Sequence, residues 1–139
     1  MSDAGDSDTY ALKAADLPGI DPPDVDYRPP MPRHLEPRIG VIGTGGISGS
    51  HLDAYRRAGW QVAALWNRTQ SKAHEKAADY FPDARVEDTW QAILANPEID
   101  VVDITLHPVH RTEIIEAALR AGKHVLSQKP FVTDLDTGA

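Results

Sequence analysis

Half of the chain's glycines, five of ten, fall between Gly40 and Gly49. Within that stretch the run Gly43-Thr44-Gly45-Gly46-Ile47-Ser48 has the spacing of a backbone loop that receives an anion. A glycine at 43 permits a tight turn from a strand into a helix. A glycine at 45 leaves no Cβ in the path of an approaching pyrophosphate. Ser48, as small as the glycine or alanine more usual there, lets the helix lie close to the strand. Such a loop points the free N–H groups of a helix N-terminus at the phosphates, where the helix dipole also favours negative charge. The chemistry expected is dinucleotide binding by Gly43, Thr44, Gly45, Gly46, Ile47 and Ser48. Read alone, the same residues also suit a tight turn beside an empty crevice.

About twenty residues further on, the chain reads Trp66-Asn67-Arg68-Thr69. A site for NAD commonly has a carboxylate here for the ribose hydroxyls. Asn67 takes that place and no acidic residue adjoins it. Arg68 can meet a 2′-phosphate with a charge-assisted fork. The pair favours NADP over NAD, against the plainer reading of Arg68 as a surface residue. Two later segments carry polar groups at strand ends, Thr105-Leu106-His107-Pro108-Val109-His110 and Ser127-Gln128-Lys129-Pro130. Lys129 can donate to a hydroxyl or carbonyl oxygen beside a nicotinamide; it also reads as an ordinary surface lysine. His110 suits a helix start equally well. The six histidines suggest no metal site, because His107 and His110 straddle a loop-to-helix junction without an acidic partner.

These segments need a scaffold that brings them to one edge, and the pattern from Pro37 onward supplies it. Arg38–Ile42 is a short apolar strand, followed by a helix over about Ile47–Ala58 that Gly59 ends. Gln61–Trp66 is apolar enough to be buried on both faces. Thr69 is the expected N-cap of a helix reaching Tyr80, and Pro82 prevents continuation. Ala84–Val86 is a weak third strand. Asp88 and Gln91 have capping-box spacing for a short helix ending near Asn96-Pro97. Asp100–Thr105 is the fourth strand, a helix over about Val109–Ala121 follows up to Gly122, and Lys123–Gln128 is the fifth. Strands alternating with helices through short loops imply parallel βαβ units with right-handed crossovers. The expectation is an α/β doubly wound parallel sheet in the Rossmann-like order 3-2-1-4-5 over residues 37–139.

Residues 1–36 differ in texture. They hold eight acidic and three basic residues, and residues 1–37 hold seven of the eleven prolines. Proline lacks an N–H and restricts its predecessor, so this stretch is expected to be an extended or disordered arm. The whole chain has 139 residues and a formal charge of −7, which argues against a nucleic-acid or anionic-membrane partner. It has no cysteine, which excludes disulfide and thiolate chemistry. The longest apolar run, Val62–Trp66, is far too short to span a bilayer. Met1–Asp6 lacks a basic and apolar leader pattern, so a cytoplasmic protein is expected.

Three segments together resemble the Gfo/Idh/MocA oxidoreductases. Gly43-Thr44-Gly45-Gly46-Ile47-Ser48-Gly49-Ser50-His51 is similar to that family's glycine loop, including the histidine three after the serine. Thr105 and His110 resemble its Thr…His pair after the fourth strand, although the family's proline usually follows the threonine directly; here His107 intervenes before Pro108. Ala121-Gly122-Lys123-His124-Val125-Leu126-Ser127-Gln128-Lys129-Pro130 is similar to the signature AGKHVL-x-EKP, with Gln128 in place of the glutamate. The resemblance runs from about Pro37 to the end and does not include residues 1–36.

The resemblance implies NAD(P) as cofactor, and hydride transfer to or from a sugar, polyol or related hydroxyl or carbonyl compound. It implies cofactor contacts for Thr105, His110, Gln128 and Lys129, with Lys129 also catalytic through polarisation of the reacting oxygen. Loss of the glutamate at 128 removes a charge beside that lysine. Family members carry a second α/β domain with the substrate pocket and most of any oligomer interface. The expectation is therefore a truncated chain, incomplete at its C-terminus and inactive alone. The alternative is a stand-alone module that binds or senses nucleotides without catalysis.

Overall fold

A computed structural model describes residues 36–139, together with residues 19, 21, 23–25 and 30. The arm expected over residues 1–36 lies mostly outside the described residues; those described before residue 36 are exposed and belong to no helix or strand.

Five strands alternate with helices along the chain. They are β1 (Arg38–Ile42), α1 (Ser48–Ala58), β2 (Gln61–Trp66), α2 (Gln70–Tyr80), β3 (Arg85–Val86), α3 (Trp90–Ala95), β4 (Val101–Ile104), α4 (Thr112–Arg120), β5 (His124–Ser127) and the short α5 (Leu135–Gly138). All pairings are parallel and the sheet order is β3-β2-β1-β4-β5, as expected from the alternation. The β1–β4 register places Val41 opposite Asp103 and Ile42 opposite Ile104. That register brings the carboxyl ends of the two central strands side by side, at the reversal of strand order where such sheets bind ligands.

The sheet is covered on both faces, as a parallel sheet requires. Ile39 and Val41 pack with Leu52 and Tyr55 of α1 and Ala77 of α2. Ile42, Val102 and Ile104 pack on the other face with Ile93 of α3 and Ile114, Ile115 and Ala118 of α4. This is the period-two alternation of strand side chains, and it puts Asp103, between Val102 and Ile104, on the face of α1. One irregularity interrupts it. Ile39 pairs with Val62 and Gly40 with Ala64, so Ala63 is an extra residue in β2.

Three local expectations need correction. The short helix after β3 is capped one residue later than its capping-box spacing suggested. Thr89 Oγ1 accepts the Ala92 N–H at 3.2 Å, while the Asp88 carbonyl accepts the Trp66 indole N–H at 3.1 Å. Thr69 holds the N-cap position of α2 with extended backbone, but its side chain makes no capping bond. The helix expected from Val109 is split. Pro108–His110 form a 3₁₀ turn in which the His110 and Arg111 N–H groups reach back to the His107 and Pro108 carbonyls, and α4 proper begins at Thr112. Proline suits the first position of such a turn because its missing N–H would have no partner there.

At the far end Asp134 caps α5, accepting from the Thr137 N–H at 3.0 Å and its hydroxyl at 2.6 Å. These bonds hold the Asp134 carboxyl below the usual carboxylate range. No residue of α5 is buried, and β5 is an edge strand with Leu126 about half exposed. Among the described residues, no helix is long and apolar enough to cross a membrane.

Candidate functional site

The glycine loop leaves β1 through Gly43, whose φ of 102° is open to glycine and strained for other residues. A Cβ at 43 would also lie 2.9 Å from a Leu106 side-chain carbon. Gly45 differs: a Cβ there would meet nothing within 4 Å. The space over Gly45 is therefore open, and the adjoining residues Gly45 and Gly46 are exposed at the head of α1. A pyrophosphate needs such a floor, so the residues present fit a dinucleotide on this ground alone.

Several residues expected to contact the cofactor also brace this loop. The Thr105 hydroxyl donates to the Gly43 carbonyl at 2.7 Å, and the Ser48 hydroxyl donates to the Gly45 carbonyl at 2.6 Å. The Asn67 side-chain oxygen accepts the Thr44 N–H at 3.1 Å, and its amide donates to the Thr69 carbonyl at 3.1 Å. Asn67 thus ties the end of β2 to the loop, a role that its position in the sequence did not suggest. The Thr44 hydroxyl is buried without a hydrogen-bond partner.

Beside the loop opens a cleft of about 500 Å³. Gly45, Asn67, Arg68 and His110 line it, so four of the expected cofactor residues converge there. Trp66, Trp90, Leu106 and Ile114 give it apolar walls that suit a flat aromatic base. Lys72 and Glu113 also line it, and neither was singled out from the sequence. Lys72 stands in the first turn of α2, and its place in the cleft follows from the fold. Among the described residues, no three His, Cys, Asp or Glu side chains converge on a common point.

The lysine segment lies on the loop after β5, with Lys129 exposed. A buried arginine sets its course. Arg111, only 2 % exposed, donates through Nε to the Leu106 carbonyl at 2.5 Å. Its Nη1 donates to the Gln128 carbonyl and, at 2.6 Å, to the Pro130 carbonyl, while Nη2 reaches the Lys129 carbonyl at 3.4 Å. Burial pushes the Arg111 pKa below its ordinary value. No carboxylate pairs with it among the described residues, so carbonyl dipoles alone satisfy the charge. Arg111 has no motif around it in the sequence and was missed.

Asp103 was missed as well. It is fully buried in β4, and its Oδ2 accepts from Tyr55 Oη at 2.7 Å and contacts His51 Nδ1 at 2.8 Å. The Tyr55 hydroxyl is pushed well above its usual pKa, first by burial and then by the Asp103 charge and hydrogen bond. The available signal was an aspartate inside an apolar strand, since a buried carboxylate needs donors. The Gln128 side chain does not turn to the cleft: its Nε2 lies 3.2 Å from His51 Nε2 and its Oε1 accepts the Lys129 N–H at 2.6 Å.

Comparison with known proteins agrees with this geometry. Residues 37–139 match the model of an oxidoreductase family described as having an NAD-binding Rossmann fold. An inositol 2-dehydrogenase of Gluconacetobacter diazotrophicus is 35 % identical over 98 residues, covering 69 % of this chain and 29 % of that protein. A 3-ketoreductase of Actinomadura kijaniata, solved with NADP and TDP-benzene, superposes with a TM-score of 0.67 at 32 % identity, covering 73 % of this chain and 31 % of that one. A biliverdin reductase of Synechocystis, solved with biliverdin and NADP+, gives 0.68 at 30 % identity, covering 75 % and 33 %. The chain thus spans about a third of the length of these relatives. With the glycine loop, the sheet order and the family match in agreement, this chain belongs to the Gfo/Idh/MocA oxidoreductases and carries their NAD-binding Rossmann fold.

Proposed function

We propose that residues 37–139 are the cofactor domain of an oxidoreductase that moves hydride between NADP and a sugar, polyol or related hydroxyl or carbonyl compound. The observation that carries this reading is the open floor over Gly45, continuous with a cleft that Arg68, Lys72 and two tryptophans line. The nicotinamide, when bound, supplies the hydride chemistry. The chain's own residues bind and orient. The loop N–H groups at Gly45–Ile47 would meet the phosphates, while the Ser48 N–H is held by the Gly45 carbonyl. Trp66 and Trp90 offer flat walls to the adenine. Arg68, joined by Lys72, attracts a 2′-phosphate, with Glu113 as the opposing charge in the cleft.

Lys129 is the proposed catalytic residue: its ammonium donates to the reacting oxygen, stabilising negative charge as it develops there. Thr105 and His110 support the site in different ways. Thr105 acts through the loop it braces, and His110 from the cleft rim. A pocket for substrate, and any oligomer interface, are assigned to a further domain of the kind the longer relatives have room for. On this reading the chain by itself binds cofactor without turning over sugars or polyols. A cytoplasmic setting is part of this proposal.

Titrating the purified chain with NADPH and NADH, by fluorescence or calorimetry, tests the reading. Saturable NADPH binding is expected, with no oxidation of polyols under the same conditions. Absence of saturable binding to either dinucleotide would overturn it.

A further inference from the structure

A line of hydrogen bonds joins the phosphate-facing helix to the lysine loop, and its direction follows from one donor. The Lys129 backbone N–H can only donate, so the atom it meets at 2.6 Å is the Gln128 amide oxygen. The Gln128 amide nitrogen then faces His51 Nε2 at 3.2 Å. An amide NH₂ can only donate, so His51 Nε2 must be a bare acceptor. The ring proton is left on Nδ1, where it points at Asp103 Oδ2, 2.8 Å away. Asp103 Oδ2 also receives the Tyr55 hydroxyl at 2.7 Å. With the Gln128 amide so oriented, these contacts place the single ring proton of His51 on Nδ1.

We propose that His51 and Gln128 are positioning residues for Lys129, and that Gln128 selects the neutral, Nδ1-protonated form of His51. His51 stands in the first turn of α1, directly after the glycine loop, and is anchored from β4 by Asp103. Through Gln128 it holds the backbone of the residue proposed to act on substrate. The role of Lys129 rests on the function proposed above; the proton arrangement does not. A carboxylate at 128 could not donate to Nε2. The same geometry would then require a second proton on His51, making it an imidazolium between residue 128 and Asp103. The glutamine keeps the line intact with a neutral ring.

Nitrogen-15 spectra of histidine-labelled full-length chain at neutral pH, without cofactor, test this. His51 is expected to show a protonated Nδ1 and a bare Nε2. Gln128→Glu is expected to show protons on both nitrogens at the same pH, with the Lys129 amide still protected from hydrogen exchange. Gln128→Leu is expected to speed exchange of that amide roughly three- to tenfold, the loss of one ordinary hydrogen bond. A proton on Nε2 in the native chain, or an unchanged neutral ring in Gln128→Glu, would overturn the inference. So would unchanged Lys129 exchange in Gln128→Leu. An NADPH titration of the same samples separates the two readings. Loss of binding in the native chain counts against the cofactor site alone, and a wrong tautomer counts against the relay alone.

Discussion

Arg111 Nη1 donates to the Pro130 carbonyl at 2.6 Å, from beneath the loop that carries Lys129. The guanidinium also reaches the carbonyls of Leu106, Gln128 and Lys129, so one buried side chain joins the turn before α4 to the loop after β5. Replacing it by methionine, which keeps much of the volume, removes the donor from those carbonyls. The expected cost is about 2–4 kcal/mol, since bonds to charged donors are worth about 1.5–3 kcal/mol and their acceptors are left unpaired. Urea unfolding should show a lower midpoint with an unchanged slope. A midpoint within experimental error of the native chain would mean that the loop holds its course without Arg111.

The two loop glycines should respond differently to substitution. Gly45→Val has open space for its side chain in the free protein, so the far-ultraviolet circular dichroism should be preserved while dinucleotide binding is lost. Gly43→Ala meets both an unfavourable φ and the Leu106 side chain, so it should lower the thermal midpoint. Native-like NADPH affinity in Gly45→Val would show that the loop is only a turn.

Cofactor preference follows from charge in the cleft. NADPH is expected to bind roughly tenfold more tightly than NADH at low salt, with the gap narrowing as salt rises, because Arg68 is exposed and screened. Arg68→Ala should weaken NADPH and leave NADH nearly unchanged, with Lys72 retaining part of the preference. Asn67→Asp keeps an acceptor for the Thr44 N–H but adds a negative charge, and should reverse the order. Equal weakening of both cofactors by Arg68→Ala would remove the 2′-phosphate from its role.

Tyr55 should give the protein an alkaline limit. Its pKa is raised in the folded state, by burial first and by Asp103 second, from an unfolded value near 10. Below about pH 10 both states keep the proton and the stabilisation is intact. Above it the unfolded chain loses the proton while the folded one retains it, so stability falls by about 1.4 kcal/mol per pH unit. Tyr55→Phe should remove that part of the slope, at a cost of about 1 kcal/mol at neutral pH. Denaturant melts of both proteins between neutral and strongly alkaline pH provide the measurement. Identical alkaline slopes would show that Tyr55 does not set the limit.

Local signals were enough to place the elements and the loop. Strands and helices differ in apolar period, and Gly59 and Gly122 mark helix ends wherever the rest of the chain lies. Strand–helix alternation with short right-handed crossovers then leaves few sheet orders, and the observed order is the one expected. What stayed hidden depends on register between distant strands. Thr105 reaches Gly43 across 62 residues only because β1 and β4 pair with Ile42 opposite Ile104. Asp103 meets His51 and Tyr55 because the same register and pleat turn it toward α1 rather than α4. Arg111 carries no motif in the sequence; a 3₁₀ turn carries it inward, to carbonyls whose positions depend on β5 lying beside β4. Side-chain type states what a residue can bond to. Which partner it meets depends on the packing of elements that are far apart in the chain, and only the folded sheet determines that.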